Sequence, residues 1–562
     1  MRLAVSTIVA AIPVIGVVAI LAAPSVSWSQ PGSVLGHQKI SDLEGNFTAM
    51  IDNLDELGGT VCSLGDLDGA GPSVVALAVG AVGDDDGGGN RGCVYVLFLD
   101  GNGAVLSHQK ISNTQGGFTG LLDNLDGFGS SVASLGDLAG AGPSVAALAV
   151  GVAGDDDGGS DRGAVYVLFL NASGSVLSNQ KISDLQGGFT GTIANLDEFG
   201  GAVAGLGDLD GAGPSAGALA VGAIGTDDGG ANRGAVWVLF LNAAGSVLSH
   251  QKIGNGSGGL SVTIDSADEF GSAVAGLGDL DGAGPSVAAL AVGTIGDDDG
   301  GADRGAVYVL FLQSTGTVLS HQKISSTQGG FTGALDNLDE FGGAVADLGD
   351  LDSFGPSARA ISVGTIGDDD GGSGRGCTYV VFISSAGSVT SQQKISSTQG
   401  GFTGALSNGD EFGGACAGLG DIDGAGPAAG ALVVGSSFDD DGGEDRGAVW
   451  VLQLRGLTLS DTEPVPGTPR AVLHAARPNP FNPRTTISFA VAVAGQVTID
   501  IWDAHGRRVR RLVDGPATPG QHQVTWDGLD DAGRELASGA YFYGLALDGR
   551  AAPVSRKAIL LK

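Results

Sequence analysis

The chain has 562 residues, 102 of them Gly, with 42% apolar and only 16% charged residues. That length exceeds one ordinary core and calls for several domains or a repeat array, while the apolar share excludes a disordered polar tract. The net charge of −35 excludes a nucleic-acid-binding surface, which needs basic residues, and favours cations or cationic partners.

The N-terminus reads MRLAVSTIVAAIPVIGVVAILAAPSVSWSQ. Arg2 precedes an apolar run, and Ser27 and Ser29 supply small residues for cleavage near Ser29. Residues 1–29 are therefore predicted to be a secretory signal peptide, and the protein to be secreted or displayed at the cell surface. An uncleaved anchor is the alternative, but Pro13 interrupts the run and Pro24 follows it.

From residue 32 to 455 one unit repeats with a step of 71. Gly-Asp dipeptides place Asp66, Asp137, Asp208, Asp279, Asp350 and Asp421 on this ladder. Arg91, Arg162, Arg233, Arg304, Arg375 and Arg446 keep the same step, as do the Gln-Lys pairs from Gln38-Lys39 to Gln393-Lys394. A fixed period of this size signals a propeller, solenoid or array. The fourth copy shows four strand-like runs: 272–280, 288–295, 305–312 and 317–324, each bounded by Gly, Asp or polar residues. The third run, GAVYVLFL, is apolar throughout, which predicts burial on both faces between stacked sheets. The array opens with a lone fourth strand, GSVLGHQKIS, and ends on a third, GAVWVLQL. The first fills the gap left by the last. The fold class expected is thus all-β: a six-bladed propeller of four-stranded blades, closed by pairing its terminal strands.

Cys62, Cys93, Cys377 and Cys416 stand where sister copies have Ala or Val, so small buried thiols are expected rather than a disulfide framework.

Each unit carries Phe-Gly, as in Phe128-Gly129, Phe199-Gly200, Phe270-Gly271, Phe341-Gly342 and Phe412-Gly413, with Leu57-Gly58 in the first copy. Gly80-Ala81 and Gly222-Ala223 follow one strand later. This pattern resembles the FG-GAP repeat of integrin alpha-chain propellers and their bacterial relatives. The resemblance implies a calcium loop, DxDxDGxxD, between the first and second strands. The matching positions are Asp66 and Asp68, Asp208 and Asp210, Asp279 and Asp281, Asp350 and Asp352, and Asp421 and Asp423. Position five is Ala70 and position nine Val74 in the first copy, so two carboxylates stand where calcium wants six to eight oxygens. Two readings stay open: a weak calcium site, with calcium the one candidate cofactor, or a turn capped by its own Asp.

A second acidic patch lies between the second and third strands. It comprises Asp84, Asp85 and Asp86; Asp155, Asp156 and Asp157; Asp227 and Asp228; Asp297, Asp298 and Asp299; Asp368, Asp369 and Asp370; and Asp439, Asp440 and Asp441. Strand alternation puts it at the opposite end of the blade from the first patch, the end where the resemblance implies ligand binding. The plainer reading is a solvated turn whose internal partner is the Arg that follows, such as Arg91. His37, His108, His250 and His321 occupy one repeat position, and no HExxH, GxSxG, Walker loop or zinc spacing occurs, so no enzyme is expected. A hydrolase is the least favoured reading.

Residues 456–470 form a Pro-rich linker, and 471–562 a separate module. That module holds nine Arg and two Lys against seven Asp and one Glu, a net of +3, leaving −38 for the rest. Runs 487–493, 496–502 and 521–526 read as strands of a small Ig-like sandwich. RPNPFNPRTTISF and ASGAYFYGL resemble the C-terminal sorting domain of type IX secretion, similar in fold to the FlgD Ig-like domain. The resemblance implies contact with export machinery. The expected whole is a monomeric adhesion or binding protein for an extracellular protein or glycan, or else a structural surface or matrix protein without a specific ligand.

Overall fold

The computed structural model describes residues 30–69, 74–140, 146–211, 216–282, 287–351, 358–422, 429–456, 471–474, 476–491, 495–503, 507–518, 520–547 and 550–561. Residues 1–29, linker residues 457–470, Asp352 and Asp423 lie outside them. All regular structure among the described residues is β, and no helix there is long and apolar enough to cross a membrane.

The repeats form six four-stranded antiparallel sheets in a propeller-like arrangement. In the fourth, Phe270–Gly278, Val287–Thr294, Ala306–Gln313 and Val318–Ser325 pair in that order. These bounds lie within two residues of the predicted runs at each start, because Gly and Asp break the pattern wherever the chain turns. In the last sheet, Ala415–Gly420, Ala429–Ser436 and Ala448–Arg455 are completed by the orphan strand Val34–Ile40, with His37 opposite Leu452 and Ile40 opposite Val449.

The third strand explains the layering. Ala306 to Leu312 is buried at every position, and alternate side chains enter different interfaces. Val307, Val309 and Phe311 join Ile361 and Val363 of the fifth sheet, whereas Tyr308, Leu310 and Leu312 join Val236 and Val238 of the third. Each such buried side chain contributes about 1.5–3 kcal/mol of transfer free energy, so the sheets are held face to face mainly by apolar burial.

The signature glycines meet across these interfaces. A Cβ on Gly80 would lie 2.3 Å from the carbonyl oxygen of Gly129 in the next sheet. The same holds for Gly151 and Gly200, Gly222 and Gly271, Gly293 and Gly342, and Gly364 and Gly413. Gly435 of the last sheet stands in the same way under Gly58 of the first, at 2.0 Å. The repeat motif is therefore a contact between neighbours. Gly222→Ala, a change that in an open strand would stabilise slightly, should here cost about 1–3 kcal/mol by overpacking. A urea titration with unchanged slope and a lowered midpoint would show it.

The four thiols form no disulfide; Cys93, Cys377 and Cys416 are buried and Cys62 half-buried.

The C-terminal module packs two sheets around one core. One sheet joins Ala471–Leu473, Thr485–Val491 and Gly520–Trp526. The other joins Arg508–Ala517, Gly495–Asp503, Gly539–Leu547 and Arg550–Leu560. Trp526, Phe481, Ile487, Ile499 and Tyr543 are buried between them. The Tyr543 hydroxyl accepts from the Ala476 N–H at 2.7 Å and donates to the His474 carbonyl at 2.8 Å, tying one sheet to the entering chain. Asn479 does the same at the edge: its amide donates to Lys557 O at 2.9 Å and accepts from Ile559 N at 2.8 Å.

Candidate functional site

The two acidic patches lie at opposite ends of each sheet, because antiparallel pairing alternates the turns. The second patch is the more structured. In the first sheet, Asp84 Oδ1 accepts the Asp86 N–H at 3.0 Å, and Asp85 Oδ1 accepts the Asn90 N–H at 2.7 Å. Lys110 Nζ sits between the outer two carboxylates, 2.5 Å from Asp84 and 3.0 Å from Asp86. Ser112 and Gln115 donate to Asp86 as well, at 2.9 and 2.8 Å.

The cluster recurs. Lys39 reaches Asp439 at 2.7 Å and Asp441 at 2.5 Å; Lys181 reaches Asp155 at 2.5 Å and Asp157 at 2.9 Å; Lys323 reaches Asp297 at 2.5 Å and Asp299 at 2.9 Å. Lys394 pairs with Asp368 and, at 2.9 Å, with Asp370. In the third sheet Thr226 replaces the first Asp, and Lys252 keeps only Asp228 at 2.8 Å. Burial alone would lower the pKa of Lys181, but its bonds to Asp155 and Asp157 raise it.

The expectation that Arg91 and its counterparts serve as the internal partner of the triplet is corrected by this geometry. The Lys takes that place because register sets Lys110 opposite Tyr95, under the loop, where its Nζ also lies 5.6 Å from the ring centroid. Arg91 stands at the far end of the turn and donates to Asn124 Oδ1 at 3.1 Å. Arg162 reaches Asn195 at 2.9 Å and Asp184 at 2.7 Å, so the arginines bind the long connections.

Within each triplet the first Asp is buried and the middle one exposed: Asp85, Asp156, Asp298, Asp369 and Asp440, joined by Asp227 in the third sheet, face solvent. Beside them the connections from fourth to first strand contribute a buried Asp not singled out from the sequence. Asp55, Asp126, Asp197, Asp268, Asp339 and Asp410 are nearly inaccessible. Asp55 and Asp126 each accept the N–H three residues back, at 2.8 and 2.7 Å. Their recurrence in the NLDE run was the available signal. Burial pushes Asp55, Asp268 and Asp339 up to about 6 and Asp126 up to about 7, with a neighbouring carboxylate adding to the shift. Such a carboxyl holds more protons in the folded chain than in the unfolded one, so its contribution to stability falls as pH rises from about 4 to about 7. The repeat array should therefore melt higher at pH 5 than at pH 8. Asp126→Asn should flatten that dependence, as differential scanning calorimetry across the range would show.

Two polar cavities open at this end. One of about 380 Å³ is lined by Asp52, Asp55, Asp85, Tyr95, His108 and Lys110. The equivalent cleft of the fifth sheet, about 600 Å³, is lined by Asp336, Asp339, Asp369, Tyr379, Gln393 and Lys394. His108 Nε2 lies 3.2 Å from Thr48 Oγ1, and His37 and His250 make the matching contact with Thr403 and Thr190. The histidine position thus links a fourth strand to the preceding long connection. The clefts offer carboxylate acceptors to a polar or cationic ligand.

The long connections also hold strained backbone. Leu54, Leu125, Leu196 and Leu338 adopt φ of 69°, 72°, 67° and 70°. Left-handed backbone costs a branched side chain roughly 1 kcal/mol or more. It persists because the Leu125 N–H bonds Gly89 O of the preceding sheet at 3.0 Å, and the Leu54, Leu196 and Leu338 N–H groups make the same bond.

At the other end, Asp66, Asp68, Asp208, Asp210, Asp281 and Asp421 are exposed at the close of the first strands, over Leu67, Leu209, Leu280 and Ile422, which are buried. Asp279 and Asp350 occupy the same turn in the fourth and fifth sheets. Most of each loop's remaining calcium positions fall outside the described residues. Among the described residues no three His, Cys, Asp or Glu side chains gather closely enough to hold a metal ion.

In the C-terminal module the specific pieces of sequence have structural work: Asn479 pairs with the last strand, and the Tyr541 hydroxyl donates to Ala537 O at 2.8 Å. Residues 482–548 match the FlgD Ig-like domain. That match lies within the C-terminal module, which is FlgD-like over those residues. Solved structures give distant likenesses. FlgD from P. aeruginosa is 20% identical over 17% of this chain and 76% of its own, with a TM-score of 0.13. PorZ of Porphyromonas gingivalis, described as an essential bacterial surface component of the type IX secretion system, is 13% identical over 92% of this chain, with a TM-score of 0.32. The chain spans 61% of the length of PorZ. A fungal alcohol oxidase in complex with copper is 10% identical over 92% of this chain and 99% of its own, with a TM-score of 0.34. No curated protein matches the sequence.

Proposed function

We propose that this is a secreted or cell-surface binding and adhesion protein, without enzymatic activity, built on a closed six-bladed propeller of FG-GAP type. The pairing of Val34–Ile40 with Ala448–Arg455, and the seating of Gly435 under Gly58, support closure. The FlgD-like module serves export or attachment, by the type IX route that its sequence resembles. The observation that carries the binding role is the repetition, at one end of every sheet, of an exposed acidic tip, with a polar cleft beside it in the first and fifth sheets. Near-identical sites suit a ligand that repeats, an extracellular protein or glycan engaged with avidity. The full chain on a glycan and matrix-protein array tests this, and binding lost on neutralising the exposed Asp set is the expected result. Silence across the array would favour the second reading, a structural surface protein. That reading is supported by the Lys clusters, which engage two of the three carboxylates in most triplets. A calcium site at the first-strand loops stays part of the proposal; a melting temperature unmoved between calcium and chelator would remove it.

A further inference from the structure

We infer that Leu54, Leu125, Leu196 and Leu338 are contact points for a basic polypeptide partner that carries apolar side chains. This deepens the binding reading above and rests on it. The four leucines are 50, 72, 58 and 58% exposed, in backbone that disfavours them. The turn does not need leucine: the sister positions are Ala267 and Gly409, with the same left-handed backbone and the same N–H bond to the preceding sheet. Exposed leucine in strained backbone adds nothing to an isolated fold, yet four of six copies keep it. Met50 and Leu121, on the same connections, are 89 and 86% exposed.

The surroundings fix the chemistry of the partner. The neighbouring tips are acidic, with Asp85, Asp156, Asp227, Asp298, Asp369 and Asp440 exposed. An apolar point in a negative field complements a surface that pairs aliphatic residues with Lys or Arg. A second copy meeting rim to rim would bring like charges together. A glycan would want flat aromatic faces, but the rings at this end, such as Tyr95, Tyr166, Tyr379 and Trp450, are buried.

The test uses the full chain immobilised for interferometry, with three probes: a peptide of Leu and Lys, a peptide of Ser and Lys of equal charge, and a glycan array. Two variants accompany it: L54G/L125G/L196G/L338G, and Asp→Asn at the six exposed tips. The expected result is at least about ten-fold tighter binding of the Leu–Lys peptide than of the Ser–Lys peptide. The glycine variant should lose that preference while its melting temperature stays level or rises. Equal affinity for both peptides, or a preference kept by the glycine variant, overturns the inference. Binding abolished only by the Asp→Asn set would then leave the acidic rim as the site. Binding of glycans alone overturns it in favour of a sugar ligand, and binding of no probe overturns both readings.

Discussion

Lys110→Met is expected to lower the unfolding free energy by about 3–5 kcal/mol, because it strands a buried carboxylate without its cation. Asp84 is 3% exposed and Asp86 lies beside it, both within 3.0 Å of the ammonium. Removing the acid instead should cost far less. The third sheet has already made that change, with Thr226 in the Asp84 position and Lys252 content with Asp228 alone. Asp84→Thr should therefore cost about 1 kcal/mol, the worth of an ordinary hydrogen bond. The double variant should recover part of the Lys110→Met loss, since its buried acid is gone. Chemical denaturation of the four proteins gives the cycle. Equal costs for the two single changes would mean that the cluster is solvated and not a buried pair.

Removal of residues 30–40 should have the larger effect. The strand Val34–Ile40 covers the edge of Ala448–Arg455, and Lys39 neutralises Asp439 and Asp441. Val34 and Ile40 are buried, and each is worth about 1.5–3 kcal/mol. With the orphaned carboxylates added, the loss should reach about 5 kcal/mol or more. An apolar strand edge is also a template for other chains, so the shortened protein should self-associate in size-exclusion chromatography. A synthetic peptide of residues 30–41 should reverse that self-association. A truncated chain that elutes as the full chain does and is equally stable would show that the pairing contributes little.

Much of the repeat architecture could be read from the letters, for identifiable reasons. Ala306–Gln313 lies within a residue of the run 305–312, because an apolar run flanked by Gly and polar residues has few other uses. The first run, 272–280, begins two residues late, since the structure builds Phe270-Gly271 into the strand. The partner of the triplet is not legible in the sequence, because Arg91 is five residues from Asp86, whereas Lys110 is 26 residues from Asp84 and is brought near only by strand pairing. The buried state of Asp55 and the backbone of Leu54 are equally hidden in the sequence: Asp55 turns back onto the Asp52 N–H, and the Leu54 N–H bonds Glu444 O of another sheet. In the FlgD-like module three of seven strands were anticipated, and Arg508–Ala517 was not, because RVRRLVDGPA lacks an apolar alternation.

The signature glycine contact has a consequence for assembly. Each sheet offers its neighbour the same glycine under the same carbonyl, so these contacts carry no address. A folding chain could seat one sheet on the wrong neighbour and gain nearly the full contact. Three junctions are marked by side chains: Thr60 of the first sheet accepts from the Val132 N–H of the second at 3.1 Å, Ser131 of the second donates to Gly200 O of the third at 2.7 Å, and Ser362, 2.7 Å from Thr378 in the fifth, donates to Cys416 Sγ of the sixth at 3.3 Å. These polar contacts differ from junction to junction and give the array places from which to count.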